Sequence, residues 1–260
     1  IVARNNMVGL QFHPGKKSSE RFADSSEFLL LGRKMLKKRI IPLQTLLNGR
    51  LVNTRQFYNW RDVGDPVKSS AVYNSQNADE LIFLDITRGA ATIESLKAVL
   101  HSVSKVCFMP IAVGGGIGNA DETAELILNG ADRVVVNTIA YRDPEVISLT
   151  ADRFGSQAVV VSIDVKYDPE ADDYLLMSRC GSIRETVRPE DHIKMDSDAG
   201  AGEIMAQSID IDGMMQGYDL RLVNRAAKAS SIPLIVAGGS GNYEHLRDAF
   251  LEADVSAVTC

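Results

Sequence analysis

The sequence repeats itself at a spacing of 123 residues, and this repeat constrains the fold more than any other feature of the chain. Pro110 begins the segment PIAVGGGIGN, and Pro233 begins the similar segment PLIVAGGSGN 123 residues later. The triplets ELI at 80–82 and EIM at 203–205 have the same spacing. So long a period indicates two similar halves rather than a stack of short repeats.

Eight short apolar runs divide the chain from residue 39 onward. They are continuous rather than alternating, which is typical of parallel strands buried on both faces. The runs lie at 39–45, 80–86, 108–113, 133–137, 158–164, 203–208, 232–237 and 255–259. Stretches of helical periodicity lie between them, such as 91–105 and 120–129, and Asn119 followed by Glu122 resembles a capping box.

Two halves of four strands favour an α/β fold of the (β/α)8 TIM barrel type, with a pseudo-twofold half-barrel repeat. A doubly wound dinucleotide-binding sheet needs the spacing G-x-G-x-x-G after its first strand, and neither glycine cluster has it. We therefore expect a barrel over residues 35–260 that is truncated in strand eight and lacks its final helices. Residues 1–34 form a tail that we do not expect to be an independent domain.

The net charge, the length of the apolar runs and the cysteine spacing all argue against several classes of protein. The 260 residues carry a net charge of −6, whereas a nucleic-acid-binding protein usually has a basic surplus. No apolar run approaches the roughly 18 residues of a membrane span, and no signal-type segment occurs in the first 30 residues. The three cysteines lack the spacing of a zinc site or a disulfide framework and fit a reducing, cytoplasmic location.

The mouth of such a barrel, at the C-terminal ends of the strands, is where catalytic groups lie. Both glycine clusters, 114–116 and 238–239, fall there, each before a helix. Glycine lets the backbone approach an anion, and the N–H groups of a helix start supply donors. Paired clusters predict a ligand with a phosphate at each end, although tight turns alone also explain such glycines.

Three acids end strands of the predicted barrel, namely Asp85, Asp164 and Asp212. A carboxyl group at an apolar barrel mouth can have a raised pKa and act as a general acid or base. A turn-forming role remains the alternative for each. Lys166 is either a loop cation or a solvated side chain.

Four charged residues open strands at the opposite end: Arg39, Glu80, Arg133 and Glu203. Such residues are ordinarily solvated. If they surround the barrel axis, their alternating signs predict that they pair with one another, because isolated charges in a confined site are costly.

The chain from about residue 38 to residue 260 resembles the cyclase subunits of imidazole glycerol phosphate synthase, a family of phosphate-binding barrels in histidine biosynthesis. The motifs that carry the resemblance are Gly-Asp-Pro at 64–66, DELIFLDIT at 79–87, VGGGI at 113–117, GSQAVVVSID at 155–164, GAGEI at 200–204, SIDIDG at 208–213 and GYD at 217–219.

The resemblance implies a lyase that uses ammonia from a glutaminase partner in a heterodimer. The family cleaves and cyclises a bis-phosphorylated ribulosyl-aminoimidazole carboxamide nucleotide, giving imidazole glycerol phosphate and an aminoimidazole carboxamide ribotide. It implies no cofactor, no metal, and no binding to nucleic acid or membrane.

The resemblance also implies roles for individual residues. Asp164 falls on a catalytic aspartate of the family. Arg39, Glu80, Arg133 and Glu203 fall on a charged gate for ammonia, with arginine at 133 in place of the usual lysine. The residues implied in binding the substrate and its two phosphates are Asp85, Gly115, Gly116, Asn137 and Thr138 in the first half and Asp212, Gly213, Gly238 and Gly239 in the second.

Two positions of the barrel depart from the family pattern. Thr45 stands where the first catalytic aspartate is expected, and Asn53 stands where a loop lysine is expected. A general acid or base contributes roughly 10²–10⁴ in rate. Thr45 cannot supply this factor, because a hydroxyl group does not titrate near neutral pH.

The tail departs as well. Residues 8–14, VGLQFHP, resemble the last strand of a class I glutaminase with its triad histidine at His13, but Gly15 replaces the expected glutamate. A fragment that crosses a glutaminase–cyclase junction and a fused gene are both compatible with this tail.

Three functions stay open from the sequence. The first is the histidine-pathway cyclase. The second is a divergent paralogue that delivers ammonia in amidino-sugar synthesis for surface polysaccharide. The third is a non-catalytic barrel that activates or scaffolds the glutaminase.

Overall fold

The computed structural model describes residues 37–87, 89 and 92–260, in which strands and helices alternate. The strands are β1 (Arg39–Ile41), β2 (Leu43–Leu47), β3 (Arg50–Arg55), β4 (Tyr58–Gly64), β5 (Leu81–Asp85), β6 (Ile111–Gly114), β7 (Arg133–Val136), β8 (Val159–Asp168), β9 (Asp173–Ser178), β10 (Ile183–Arg184), β11 (Glu203–Ser208), β12 (Leu234–Ala237) and β13 (Ala257–Thr259). The helices are α1 (Pro66–Ser75), α2 (Thr92–Val103), α3 (Ala120–Leu128), α4 (Thr138–Arg142), α5 (Glu145–Phe154), α6 (Pro189–Asp198), α7 (Leu220–Ala229) and α8 (Tyr243–Glu252). The predictions about the tail, and about a start at residue 35, lie outside the described residues.

The parallel strands close into a barrel of eight positions. The order around the ring is β2, β5, β6, β7, β8, β11, β12 and β13, and β13 then pairs with β1. Strands β1 and β2 form one barrel position interrupted at Pro42, whose carbonyl still accepts a hydrogen bond from the N–H of Ile82 at 3.0 Å. Thus the (β/α)8 prediction is confirmed, and the strand expected as the eighth pairs on both sides.

The internal repeat is visible in the caps of the helices. Helix α3 follows β6, and α8 follows β12, in the two corresponding halves. Asn119 accepts a hydrogen bond from the N–H of Glu122 at 2.9 Å, and Asn242 accepts one from the N–H of His245 at 3.0 Å. These two N-caps stand at the 123-residue spacing of the repeat, so the repeat specifies helix starts as well as strands.

Some strand bounds differ from the prediction. The run expected at 108–113 is a strand only from Ile111, and the side chain of Phe108 is 84% exposed. Pro110 accounts for the late start, since it lacks the N–H that a ladder needs. At the other end, β8 continues past Asp164 to Asp168, because its extension pairs with the antiparallel strand β9.

Two antiparallel hairpins project from the barrel and were not predicted. Strands β3 and β4 follow β2, and strands β9 and β10 follow β8. Residues of β4 are nearly all exposed, so this strand lacks the apolar alternation by which a strand is recognised in a sequence.

The core has two parts, as expected for a sheet buried on both faces. The larger part lies between the strands and the helices. The smaller part is an apolar layer to which every barrel position contributes: Ile41, Ile82, Ala112, Val135, Val160, Met205, Ile235, Ala237 and Ala257. This layer fills the interior of the barrel.

Candidate active site

The inward-facing residues of each barrel strand form levels along the axis, because side chains on one face recur at every second position. On β11 these residues are Glu203, Met205 and Gln207. Glu203 lies at the floor, Met205 in the apolar layer and Gln207 in a cavity at the mouth. The barrel therefore has a charged floor, an apolar middle and a polar mouth.

The mouth contains a cavity of about 760 Å³. It brings together six of the residues singled out in the sequence, from four different barrel positions. These are Asp85, Gly115, Gly116, Asn137, Thr138 and Asp164. A volume of this size accommodates a small-molecule ligand.

Asp164 is the most perturbed acid in this cavity. Its residue is 7% exposed, and burial raises the pKa of its carboxyl group to about 7. A weak hydrogen bond from the hydroxyl of Ser162, at 3.4 Å, opposes this rise, and the charge of Asp212 adds to it. A carboxyl group with this pKa is present in both protonation states near neutral pH, as a general acid or base requires.

Asp212 lies beside the cavity and is held by residues that line it. Its Oδ2 accepts a hydrogen bond from the hydroxyl of Thr54 at 2.8 Å, and its Oδ1 accepts one from Nε2 of Gln207 at 3.4 Å. Burial raises the pKa of Asp212, and these hydrogen bonds oppose the rise. This acid therefore anchors hairpin β3–β4 to the opposite side of the mouth.

The first glycine cluster is confined by the start of helix α2. Gly116 has a φ of +65°, and a Cβ added there would lie 2.8 Å from Cβ of Thr92. Beside it, Asn137 donates from Nδ2 to the carbonyl of Ser162 at 2.9 Å, and the hydroxyl of Thr138 donates to Oδ1 of Asn137 at 3.2 Å. Backbone and polar side chains thus share one wall of the cavity.

The second glycine cluster is placed differently. Gly213, Gly238 and Gly239 lie outside the residues that line this cavity. A Cβ at Gly213 would lie 2.0 Å from the carbonyl oxygen of Thr54, so the backbone of β3 covers this glycine. Their assignment to a second phosphate remains a prediction.

The four charges at the floor form a closed ring of ion pairs. Arg39 donates from Nη1 to Oε2 of Glu80 at 2.8 Å and from Nη2 to both oxygens of Glu203 at 2.8 and 2.9 Å. Nη1 of Arg133 lies 2.9 Å from Oε2 of Glu203 and 3.5 Å from Oε1 of Glu80. The expected pairing is therefore observed.

The two arginines of the ring differ in how well they are hydrogen-bonded. Nη1 of Arg133 and Oε1 of Glu80 are buried and make no hydrogen bond with good geometry. Burial raises the pKa of Glu80, and the nearby arginines oppose that rise. Burial disfavours the charge of Arg39, but hydrogen bonds and the charges of Glu203 and Glu80 outweigh it and raise its pKa. Arg133 is thus held less firmly than Arg39.

Of the two residues that depart from the family pattern, one lines the cavity and the other lies on a projecting hairpin. Thr45 lines the cavity, so the expected site of a carboxyl group faces the ligand space with a hydroxyl. Asn53 lies on β3 and pairs with Arg61 of β4. Lys166 is exposed on β8 and lies outside the cavity lining, as a solvated side chain does.

Sequence reasoning missed several polar residues of the cavity. Arg142, Arg179, Ser182 and Gln207 line it. Gln207 could have been found, because it lies two positions after Met205 on the inward face of a predicted strand. Arg179 and Ser182 could not, since they lie in the turn between the unpredicted strands β9 and β10.

Within residues 37–87, 89 and 92–260, no group of three or more His, Cys, Asp and Glu side chains is arranged to hold a metal ion. In the same part of the chain, no helix has the length and apolar character needed to cross a membrane.

Comparison with known proteins gives consistent matches. A family model described as "Histidine biosynthesis protein" matches residues 39–260. Curated proteins named "Imidazole glycerol phosphate synthase subunit HisF" are similar over most of their length. The protein from Chlorobium limicola is 42% identical over 227 residues, which is 86% of this chain and 88% of the relative. The protein from Bacillus licheniformis is 41% identical over 224 residues (86% and 89%), and that from Staphylococcus carnosus is 38% identical over 223 residues (86% and 88%).

Proposed function

The chain belongs to the histidine biosynthesis protein family, and on that premise we propose that it is a cyclase subunit of the imidazole glycerol phosphate synthase type. Its substrate is the bis-phosphorylated ribulosyl-aminoimidazole carboxamide nucleotide, and its second reactant is ammonia. The proposal also rests on relatives whose names describe a synthase subunit.

The observation that carries the proposal is the position of Asp164. A carboxyl group with a pKa of about 7 lies in a cavity whose wall includes a glycine cluster, Asn137 and Thr138. The glycine backbone and these polar side chains suit a phosphate. Asp164 then exchanges protons with the bound substrate as ammonia adds, the aminoimidazole carboxamide ribotide leaves and the imidazole ring closes.

Ammonia enters from the opposite end of the barrel. The ring of Arg39, Glu80, Arg133 and Glu203 leaves no unpaired charge on the axis. The apolar layer above the ring favours neutral ammonia over ammonium, because an ion in such surroundings is strongly disfavoured. Ammonia passes when the loosely held Arg133 side chain moves aside, and a glutaminase docked on this face supplies it.

Thr45 favours a second candidate function. The cavity has a hydroxyl where the family pattern has a carboxyl group, so proton transfer on that side of the substrate is lost. A barrel that keeps the ion-pair ring at its floor and the first glycine cluster at its mouth, but lacks this acid, suits delivery of ammonia to a different acceptor.

The deciding experiment is a cyclase assay on the complete chain, with the histidine-pathway substrate and free ammonia at high pH. The variant Thr45→Asp restores a titratable group, and we expect it to raise turnover roughly 10²–10⁴-fold. Thr45→Asn is the matched control, since asparagine has the same size as aspartate but does not titrate. Substrate that binds but does not react in wild type or Thr45→Asp would reject the cyclase function and favour another acceptor.

A further inference from the structure

Two arginines that no motif predicts lie in the wall of the cavity. Arg142 ends helix α4, and Arg179 lies in the turn between β9 and β10. Neither forms an ion pair with a carboxylate in the described part of the chain, whereas each arginine of the barrel floor lies within 3.5 Å of both glutamates. Both residues are exposed, so the rim of the cavity presents two cations that no carboxylate of the described residues pairs with.

We propose that Arg142 and Arg179 bind the phosphate that lies against the first glycine cluster. The proposal rests on the proposed function for the identity of the substrate, and it adds two side chains to the binding of one of its ends. A guanidinium group presents a planar fork of donors that matches a phosphate, and it remains charged at all relevant pH values.

The turn that carries Arg179 is built at a conformational cost. Arg179 has a φ of +49° and Cys180 a φ of +54°, although neither is glycine. The turn is closed by a hydrogen bond from the N–H of Ser182 to the carbonyl of Ser178 at 3.0 Å. Non-glycine residues in this region are strained, and such strain persists where the surrounding structure fixes it.

A contact between the turn and Thr138 fixes the backbone of Arg179 in place. The backbone N–H of Arg179 donates to the hydroxyl oxygen of Thr138 at 3.1 Å. That hydroxyl in turn donates to Oδ1 of Asn137. The arginine is therefore coupled to two residues of the predicted phosphate site through its backbone, which leaves the guanidinium group free to bind a ligand.

The charge balance of the cavity supports an anionic occupant. The acids that line it are Asp85 and Asp164. Asp85 accepts a hydrogen bond from the N–H of Thr87 at 2.8 Å, and burial keeps Asp164 partly protonated near neutral pH. Neither acid contacts the arginines directly, so both guanidinium groups are available to a phosphate dianion at the rim of the cavity.

The test measures binding of inorganic phosphate to the full chain by calorimetry at low salt. We expect Arg179→Gln and Arg142→Gln each to weaken binding about tenfold or more, since each variant loses charge-assisted hydrogen bonds to the anion. Arg184→Gln is the matched control, because Arg184 is an exposed arginine on the adjacent strand β10 and lies outside the cavity lining. It should bind phosphate like the wild type.

A second variant separates ligand binding from folding. Glycine adopts a positive φ without strain, so Arg179→Gly should keep or raise the melting temperature while it weakens phosphate binding as much as Arg179→Gln. Arg179→Lys should recover part of the affinity, because it restores the charge without the planar fork. A purely structural role for Arg179 would change stability and leave phosphate affinity unaltered.

The pair Gly116→Asp and Gly116→Ala locates the bound phosphate. Both add the same Cβ at a strained position, but only the aspartate adds a charge. Loss of binding in Gly116→Asp with wild-type affinity in both glutamine variants would overturn the role of the arginines and leave the glycine site intact. No phosphate binding to the wild type would also overturn it. If phosphate binding depends on the arginines but the protein has no cyclase activity, the proposed function is rejected and the role of the arginines stands.

Discussion

The hydroxyl of Thr54 donates a 2.8 Å hydrogen bond to the carboxylate of Asp212, 158 positions further along the chain. This bond connects hairpin β3–β4, in the first half of the barrel, to the turn that follows β11 in the second half. The N–H of Gln56 reinforces it by donating to the carbonyl of Asp212 at 2.9 Å. The hairpin is thereby held over Gly213 and the second half of the mouth.

Replacing Thr54 by valine should loosen this hairpin. Thr54→Val removes the hydroxyl but keeps the shape, so the partly buried Asp212 loses a donor and its pKa should rise further. We expect faster proteolysis within residues 55–58 and a loss of stability of about 1–3 kcal/mol. Thr54→Ser keeps the hydroxyl and serves as the control. Equal cleavage rates in wild type and Thr54→Val would show that the other contacts suffice to hold the hairpin.

Asp164 should make the protein less stable as the pH rises. The folded state holds this proton up to a pKa of about 7, whereas the ordinary carboxyl value is 3.8. The folded state therefore binds more protons than the unfolded state between these values, and stability falls with pH across that window. The cost approaches roughly 4 kcal/mol above pH 7, at about 1.36 kcal/mol per pKa unit.

The variant Asp164→Asn measures this cost. We expect its free energy of unfolding to exceed that of the wild type by an amount that grows from about pH 4 to pH 7 and is constant above. Glu170→Gln makes the same chemical change at an exposed turn and should show no such growth. A pH-independent difference for Asp164→Asn would mean that this carboxyl group titrates normally.

The proposed function predicts that Glu80 matters more for ammonia delivered by a glutaminase than for ammonia added to the solution. Glu203 contacts both arginines of the ring, so Glu80→Ala opens one side of the floor without leaving either arginine unpaired. We expect the yield of product per glutamine hydrolysed to fall more than turnover with free ammonia. The two nitrogen sources serve as controls for each other, and an equal loss with both would identify the ring as structural only.

Asp196 should destabilise the fold at alkaline pH. It lies on helix α6, where burial raises its pKa to about 8 and lowers that of His192 to about 4. Their facing atoms Oδ2 and Nε2 are 3.4 Å apart but make no hydrogen bond. Both shifts favour the neutral forms of the two groups near pH 7, so the short distance does not by itself make this contact an ion pair.

Asp196→Asn removes the acid and should raise the melting temperature. The gain should increase between about pH 4 and pH 8, where the folded wild type retains a proton that the unfolded chain has lost. Asp198→Asn, an exposed neighbour on the same helix, is the control and should have little effect. A gain that shrinks with rising pH would show that Asp196 is ionised and paired with His192.

The sequence predicted those features that depend on local pattern. Continuous apolar runs identified the barrel strands, and the spacing of the repeat distinguished a closed barrel from an open sheet. The ring at the floor could be anticipated as well, because Arg39 and Glu80 stand where barrel strands begin, so they converge on the axis.

Features that depend on contacts between distant segments were not predictable. The turn at Arg179 belongs to a hairpin whose short second strand is exposed and shows no apolar alternation. The covering of Gly213 depends on where the carbonyl of Thr54 lies, and no pattern within either segment records that approach. Both of these unpredicted features shape the mouth.

Closure of the barrel between β1 and β13 has a consequence for how the protein is made. Arg39 pairs with Ala257, and Lys38 donates to the carbonyl of Val255 across a sequence separation of 217 residues. During translation, β2 can pair with β5 early, because the two strands are close in sequence. Strand β1 can pair with β13 only after residue 257 has left the ribosome. Contacts of such high sequence separation form slowly. The nascent chain therefore exposes the unpaired edge of β1 throughout most of its synthesis. We expect aggregation to begin at this exposed edge, and we expect a chaperone to bind there.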